Sequence, residues 1–240
     1  AMQYRQHTVQ CVSPSGLHRM AYVEWGARDN PRVLVCVHGL TRNGRDFDAL
    51  AQALAAHYRV VCPDVVGRGQ SSRLRDPSAY GIPQYLADMV TLIARLNVDS
   101  VDWVGTSMGG LIGMALASQQ GTPIRKLLLN DVGPVITTQS LERIATYVGT
   151  DPTWATFDEA LAYIKVISAP FGHLDDAQWQ HLTEHSIGQR PDRRWGFLYD
   201  PLIAAPFKAA FSGEPIDLWP IYERITCPTL VVRGADSDLL

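Results

Sequence analysis

The sequence predicts an α/β fold in which a mostly parallel sheet is covered by helices on both faces. Three observations carry the prediction. Four runs of nearly uninterrupted apolar residues, PRVLVCVHG (31–39), RVVCPDVVG (59–67), SVDWVGT (100–106) and IRKLLLND (124–131), read as strands buried on both sides. Segments with helical apolar spacing lie between them, and a crossover between parallel strands must return a helix onto the sheet. The chain has 240 residues, 46% of them hydrophobic, which is enough for one large core.

Taken in order, VQCVSP (9–14) and HRMAYVEWG (18–26) open the chain as a hairpin, and PRVLVCVHG is the third strand. NGRDFDALAQALAAH (43–57), PQYLADMVTLIARLN (83–97) and MGGLIGMALASQQ (108–120) are the helices that separate the third to sixth strands. From about Gly133 to Thr226 the strand signal gives way to helical segments and loops. Thr156 and Glu159 have the spacing of a capping box, Asp175 caps DAQWQHLTEHS, and IDLWPIYERI is a final short helix. CPTLVVRGADSD (227–238) resumes the strand pattern. The expected division is a core over 1–132, a helical cap over 133–226 and a return to the core at 227–240 with a seventh strand. No repeat or low-complexity segment interrupts it.

The formal charge is −3, without a Lys/Arg block, which excludes nucleic acid and anionic membrane as expected partners. No stretch approaches the ~20 apolar residues of a membrane helix, and AMQYRQHTVQ has no apolar signal core. The expectation is a cytoplasmic protein acting on a small molecule; its oligomeric state is open. Cys11, Cys36, Cys62 and Cys227 are scattered, three of them in strand-like runs, and lack ligand spacing. They read as reduced core thiols, and no metal or organic cofactor is expected.

The stretch SVDWVGTSMGGLIGMALASQQ (100–120) carries the chemistry. Ser107 stands in a Gly-x-Ser-x-Gly pattern at the junction of a buried strand and a helix. That is the setting of a nucleophile elbow, where a sharp turn lifts the hydroxyl toward a helix N-terminus. Gly105 and Gly109 supply the small residues such a turn needs.

With VCVHGLTRN, PDVVGRGQS, VGTSMGG, LLLNDVGP and TLVVRGADSDLL in this order, the chain resembles the α/β-hydrolase superfamily over essentially its whole length, as a capped serine esterase-like member. The resemblance implies an oxyanion hole made by the backbone N–H groups of Leu40 and Met108. It also implies a Ser, acid, His order along the chain. Asp238 is the expected acid, ahead of Asp236, with Asp131 as the outside choice. The catalytic histidine is expected beyond Leu240; His173, His181 and His185, all in the cap, are the alternatives if it is not there. His38 is expected to shape the oxyanion loop through hydrogen bonds. Asp64 and Arg68 are expected to fix their turn by hydrogen bonds and charge pairing, and Arg42, Asn43, Arg193 and Arg194 to anchor loops.

The implied activity is hydrolysis of a carboxylic ester or related acyl bond, such as a lactone or thioester, through an acyl-enzyme. A serine at the elbow argues against haloalkane dehalogenases and epoxide hydrolases, which use aspartate there. Carbon–carbon bond hydrolysis and a non-catalytic ligand-binding role are the alternatives. Residues 133–226 hold 13 of the 21 aromatic residues, so the cap is expected to present an apolar ceiling that favours short to medium acyl or aryl substrates.

Overall fold

A computed structural model of the protein describes residues 3–237, so Asp238 lies outside the described residues. The chain opens with β1 (Arg5–Ser13), β2 (Gly16–Trp25) and β3 (Val33–Val37), then α1 (Asp48–Leu54), β4 (Arg59–Pro63), α2 (Ile82–Leu96), β5 (Val101–Thr106), α3 (Met108–Ala117) and β6 (Ile124–Asn130). An insertion follows with β7 (Val135–Ile136), α4 (Thr138–Tyr147), β8 (Thr153–Trp154), α5 (Phe157–Ile167), α6 (Asp176–Ser186), β9 (Ile187–Gln189) and β10 (Trp195–Phe197). It closes with α7 (Ala204–Ala210), β11 (Ile216–Asp217) and α8 (Trp219–Tyr222) before β12 (Thr229–Val232).

The main sheet has the order β1-β2-β4-β3-β5-β6-β12. β1, β2 and β4 pair antiparallel, and every pair from β4 to β12 is parallel. β3 shows why its sequence is apolar throughout. Val33, Val35 and Val37 join one core with Met20, Met89, Ile112 and Leu129, while Leu34 and Cys36 join another with Trp25, Phe47, Ala51 and Val60. Each face is covered by helices, and burial of this kind contributes about 25 cal/mol per Å². α2 turns Tyr85, Met89, Leu92, Ile93 and Leu96 inward and ends at Asn97, whose φ of 55° stops the helix. Among the described residues β12 is one edge of the sheet and β1 the other, and Leu230 on β12 is 58% exposed.

Strand order reverses at β3, whose neighbours are β4 and β5. In an open α/β sheet the crevice beyond the carboxyl ends of such strands is where ligands bind. β3 leads into His38–Leu40 and β5 into Ser107.

The insertion differs from the sequence expectation. It is not purely helical: among the described residues β8, β10 and β9 form a three-stranded sheet and β11 pairs with β7. Strands of two or three residues are too short to display alternation, and Ile216 finds Ile136 from far along the chain. β11 also shortens the last helix to Trp219–Tyr222. Thr156 accepts from the Glu159 amide, whereas the Glu159 carboxylate accepts from Ala155 instead of closing a reciprocal box. Asp175 and Gln178 do form the reciprocal pair at the start of α6. Trp154, Ala160, Ile164 and Ile187 make a separate small core, with Phe157, Trp179, Trp195 and Phe197 against it. No helix among the described residues is long and apolar enough to cross a membrane.

Candidate active site

Ser107 has φ 51° and ψ −115°, a backbone conformation that a residue with a side chain adopts only under constraint. The constraint is visible. Its amide donates to the Asn130 carbonyl at 3.1 Å, and its own carbonyl accepts from Gly110 and Leu111 at 2.9 and 3.1 Å. A Cβ on Gly109 would collide with the main chain at Val37, and one on Gly105 with that of Gly109. The sequence therefore lets α3 start directly against β3 and β5, with Ser107 at its positive end.

The loop after β3 lies beside this serine. A side chain begun at Gly39 would stand 3.8 Å from the Ser107 Cβ. His38, 1% exposed, shapes the loop: its Nε2 accepts from the Val65 amide at 2.9 Å, which fixes the proton on Nδ1, donated to the Gly39 carbonyl at 2.7 Å. Burial foremost, with the Arg68 charge adding to it, lowers the His38 pKa to about 4, so the ring is neutral at ordinary pH.

Asp64 and Arg68 hold the neighbouring turn, but not by pairing with each other. The Asp64 carboxylate accepts from the Gly44 and Gln70 amides at 2.8 and 2.9 Å, and burial raises its pKa to about 6. Arg68 Nε instead donates to the Leu40 carbonyl at 2.8 Å. The expected charge pair is not formed, because the guanidinium is turned to the Leu40 and Val66 carbonyls, the Tyr85 hydroxyl and the Met108 sulfur. Arg42 forks onto Asp46. Asn43 caps the following turn through the Arg45 amide and donates to the His185 carbonyl at 2.7 Å, tying the insertion to this loop. Arg194 donates to Thr153, and Arg193, with φ 67°, makes the turn before β10. The Tyr80 hydroxyl donates a hydrogen bond to the buried Asp200 carboxylate at 2.7 Å, a second tie to the insertion that no local sequence pattern signals.

Among the candidate acids, Asp236 is exposed in the turn after β12. Asp131 follows β6 with φ 57°, its amide bonded to the Val232 carbonyl at 2.7 Å and its Oδ1 buried without a partner among the described residues. None of the described histidines hydrogen-bonds Ser107. His173 is exposed, His181 meets Asp48 at 2.9 Å, and the His185 ring stands against His181 with centroids 4.5 Å apart. Burial, then the Arg45 and His181 charges, lowers the His185 pKa.

Among the described residues two groups have ligand atoms within 4.8 Å of one another, Cys11/His18/Asp88 and Asp48/His181/His185. Each is already engaged: His18 bonds Asp88 at 2.8 Å, and Arg45 forks onto Asp48. The four cysteines are free thiols.

This architecture, with a serine elbow at the switch point of the sheet, is that of an α/β hydrolase, and the family model for the alpha/beta hydrolase fold matches residues 32–156. The chain belongs to the α/β-hydrolase family. It is 56% identical to a 3-hydroxybutyrate-oligomer hydrolase of Cupriavidus necator, over 97% of this chain and 82% of that protein. An alpha/beta hydrolase from Novosphingobium aromaticivorans superposes with a TM-score of 0.84 at 34% identity, covering 99% of this chain and 86% of the other. An esterase from Mycobacterium tuberculosis shares the fold at a TM-score of 0.68 and 20% identity, over 98% and 75% of the two chains. By this kinship the protein is an esterase-like serine hydrolase.

Proposed function

We propose that the protein hydrolyses the ester bonds of short 3-hydroxybutyrate-type oligomers through an acyl-enzyme on Ser107. The constrained conformation of Ser107, beside the 38–40 loop, is the observation that carries the reading; the 56% identity to an oligomer hydrolase supplies the substrate class. Ser107 Oγ attacks the ester carbonyl and gives its proton to a histidine. The new oxyanion lies between the N–H groups of Leu40 and Met108. Collapse expels the hydroxyl end of the leaving unit, which takes the proton back, and water then releases the acid. We assign the carboxylate that orients the histidine to Asp238. Residues 133–226 act as the cap, tied to the core by Asn43 and by Tyr80. The free cysteines fit a reducing, cytoplasmic setting.

The test is incubation of the full-length protein with the dimer and trimer of 3-hydroxybutyrate, with products separated by chromatography. Release of monomer, absent in Ser107→Ala, is the expected result. Cleavage of simple aryl esters with no action on either oligomer would overturn the substrate class.

A further inference from the structure

We propose that Arg68 is a positioning residue of the oxyanion hole, holding both of its walls and placing a cation behind it. The inference rests on the assignment of Leu40 and Met108 above. Arg68 is 1% exposed, and its guanidinium is spread over four neutral acceptors. Nε donates to the Leu40 carbonyl at 2.8 Å, Nη1 to the Val66 carbonyl at 2.9 Å and the Tyr85 hydroxyl at 2.8 Å, and Nη2 reaches the Met108 sulfur at 3.5 Å. The charge lies 5.0 Å from the Tyr85 ring centre and 5.9 Å from that of Tyr80. Leu40 stands on the loop after β3 and Met108 opens α3, and one planar fork joins them.

Among the described residues Arg68 forms no ion pair; the buried Asp200 stands nearby, its carboxylate on the Tyr80 hydroxyl and its amide on the Gly67 carbonyl. A buried cation with no carboxylate in direct contact is costly, and hydrogen bonds to neutral groups and aromatic faces offset only part of that cost. Its complement arises during the reaction. When Ser107 adds to the carbonyl, negative charge appears between the loop and the helix start that Arg68 grips, in a site of low dielectric. An interaction that grows with that charge lowers the barrier without tightening substrate binding.

The experiment compares the full-length wild type with Arg68→Met, Arg68→Lys and Tyr85→Phe on a p-nitrophenyl ester. It also measures inhibition by a trifluoromethyl ketone, which forms a tetrahedral adduct with an active serine. Arg68→Met is expected to lose about 10²-fold in kcat, the scale of a lost oxyanion contact, with KM within about threefold. Affinity for the ketone should fall in parallel. Arg68→Lys should recover part of the loss, and Tyr85→Phe should show a smaller loss in kcat alone. A folded Arg68→Met with wild-type kcat, or one changed only in KM, overturns the proposal. If that variant does not fold, unchanged kcat and ketone affinity in Tyr85→Phe overturn it instead. Ser107→Ala separates the two levels: full activity there fails the catalytic assignment, whereas its loss together with indifference at Arg68 fails this proposal only.

Discussion

The amide of Ser107 donates to the carbonyl of Asn130 at 3.1 Å, so the turn that carries the serine is fastened to the strand beside it. The fastening works only because α3 can lie against the end of β3, where Gly109 meets the main chain at Val37. We expect Gly109→Ala to force the two apart, destabilising the protein by at least roughly 2 kcal/mol and reducing ester hydrolysis to near background. Urea unfolding and a p-nitrophenyl ester assay measure both; wild-type values in each would show that the close approach is not required.

Tyr80 and Asp200 join the core to the insertion through one hydrogen bond between buried partners. The same hydroxyl accepts from the Leu74 amide at 2.9 Å. Tyr80→Phe leaves a buried carboxylate oxygen and a buried amide without that partner, at an expected cost of about 2–4 kcal/mol. Thermal unfolding of the two proteins checks this, and an unchanged midpoint would contradict it.

The pH dependence of stability should reveal two opposed groups. Buried His38 has a pKa of about 4 in the folded protein against 6.5 ordinarily, so the unfolded chain takes up a proton that the folded one refuses. Stability is therefore lost as pH falls from about 6.5 toward 4, by about 3 kcal/mol from this group alone. Asp64, raised from 3.8 to about 6, acts in reverse: the folded state keeps a proton that the unfolded one releases, and stability is lost as pH rises through that range. Asp64→Asn removes the second effect. Its unfolding free energy should fall more steeply than that of the wild type between pH 6.5 and 4.5, by about 2 kcal/mol; parallel slopes would refute the assignment.

All seven strands of the main sheet were legible in the sequence, because β3 to β6 and β12 are continuous apolar runs and β1 and β2 are strand-like runs joined by a short turn. The elbow was legible too, since Gly105, Ser107 and Gly109 fall across the junction of a strand and a helix. Less visible were the contacts that join distant segments. Nothing near Arg68 announces that it will grip Leu40 instead of Asp64, and nothing near Asn43 announces the His185 carbonyl. The short strands β7 to β11 escaped for the same reason: two or three residues carry no period, and their partners are set by tertiary packing.

The most direct test of the catalytic assignment is labelling of the full-length protein by a fluorophosphonate, followed by mass mapping of the modified residue and by kinetics of Ser107→Ala on a p-nitrophenyl ester. Labelling at Ser107, its absence in the variant, and a fall in kcat of at least ~10³-fold are the expected results. Undiminished turnover by Ser107→Ala, or a label on another residue, would contradict the assignment of Ser107 as the nucleophile.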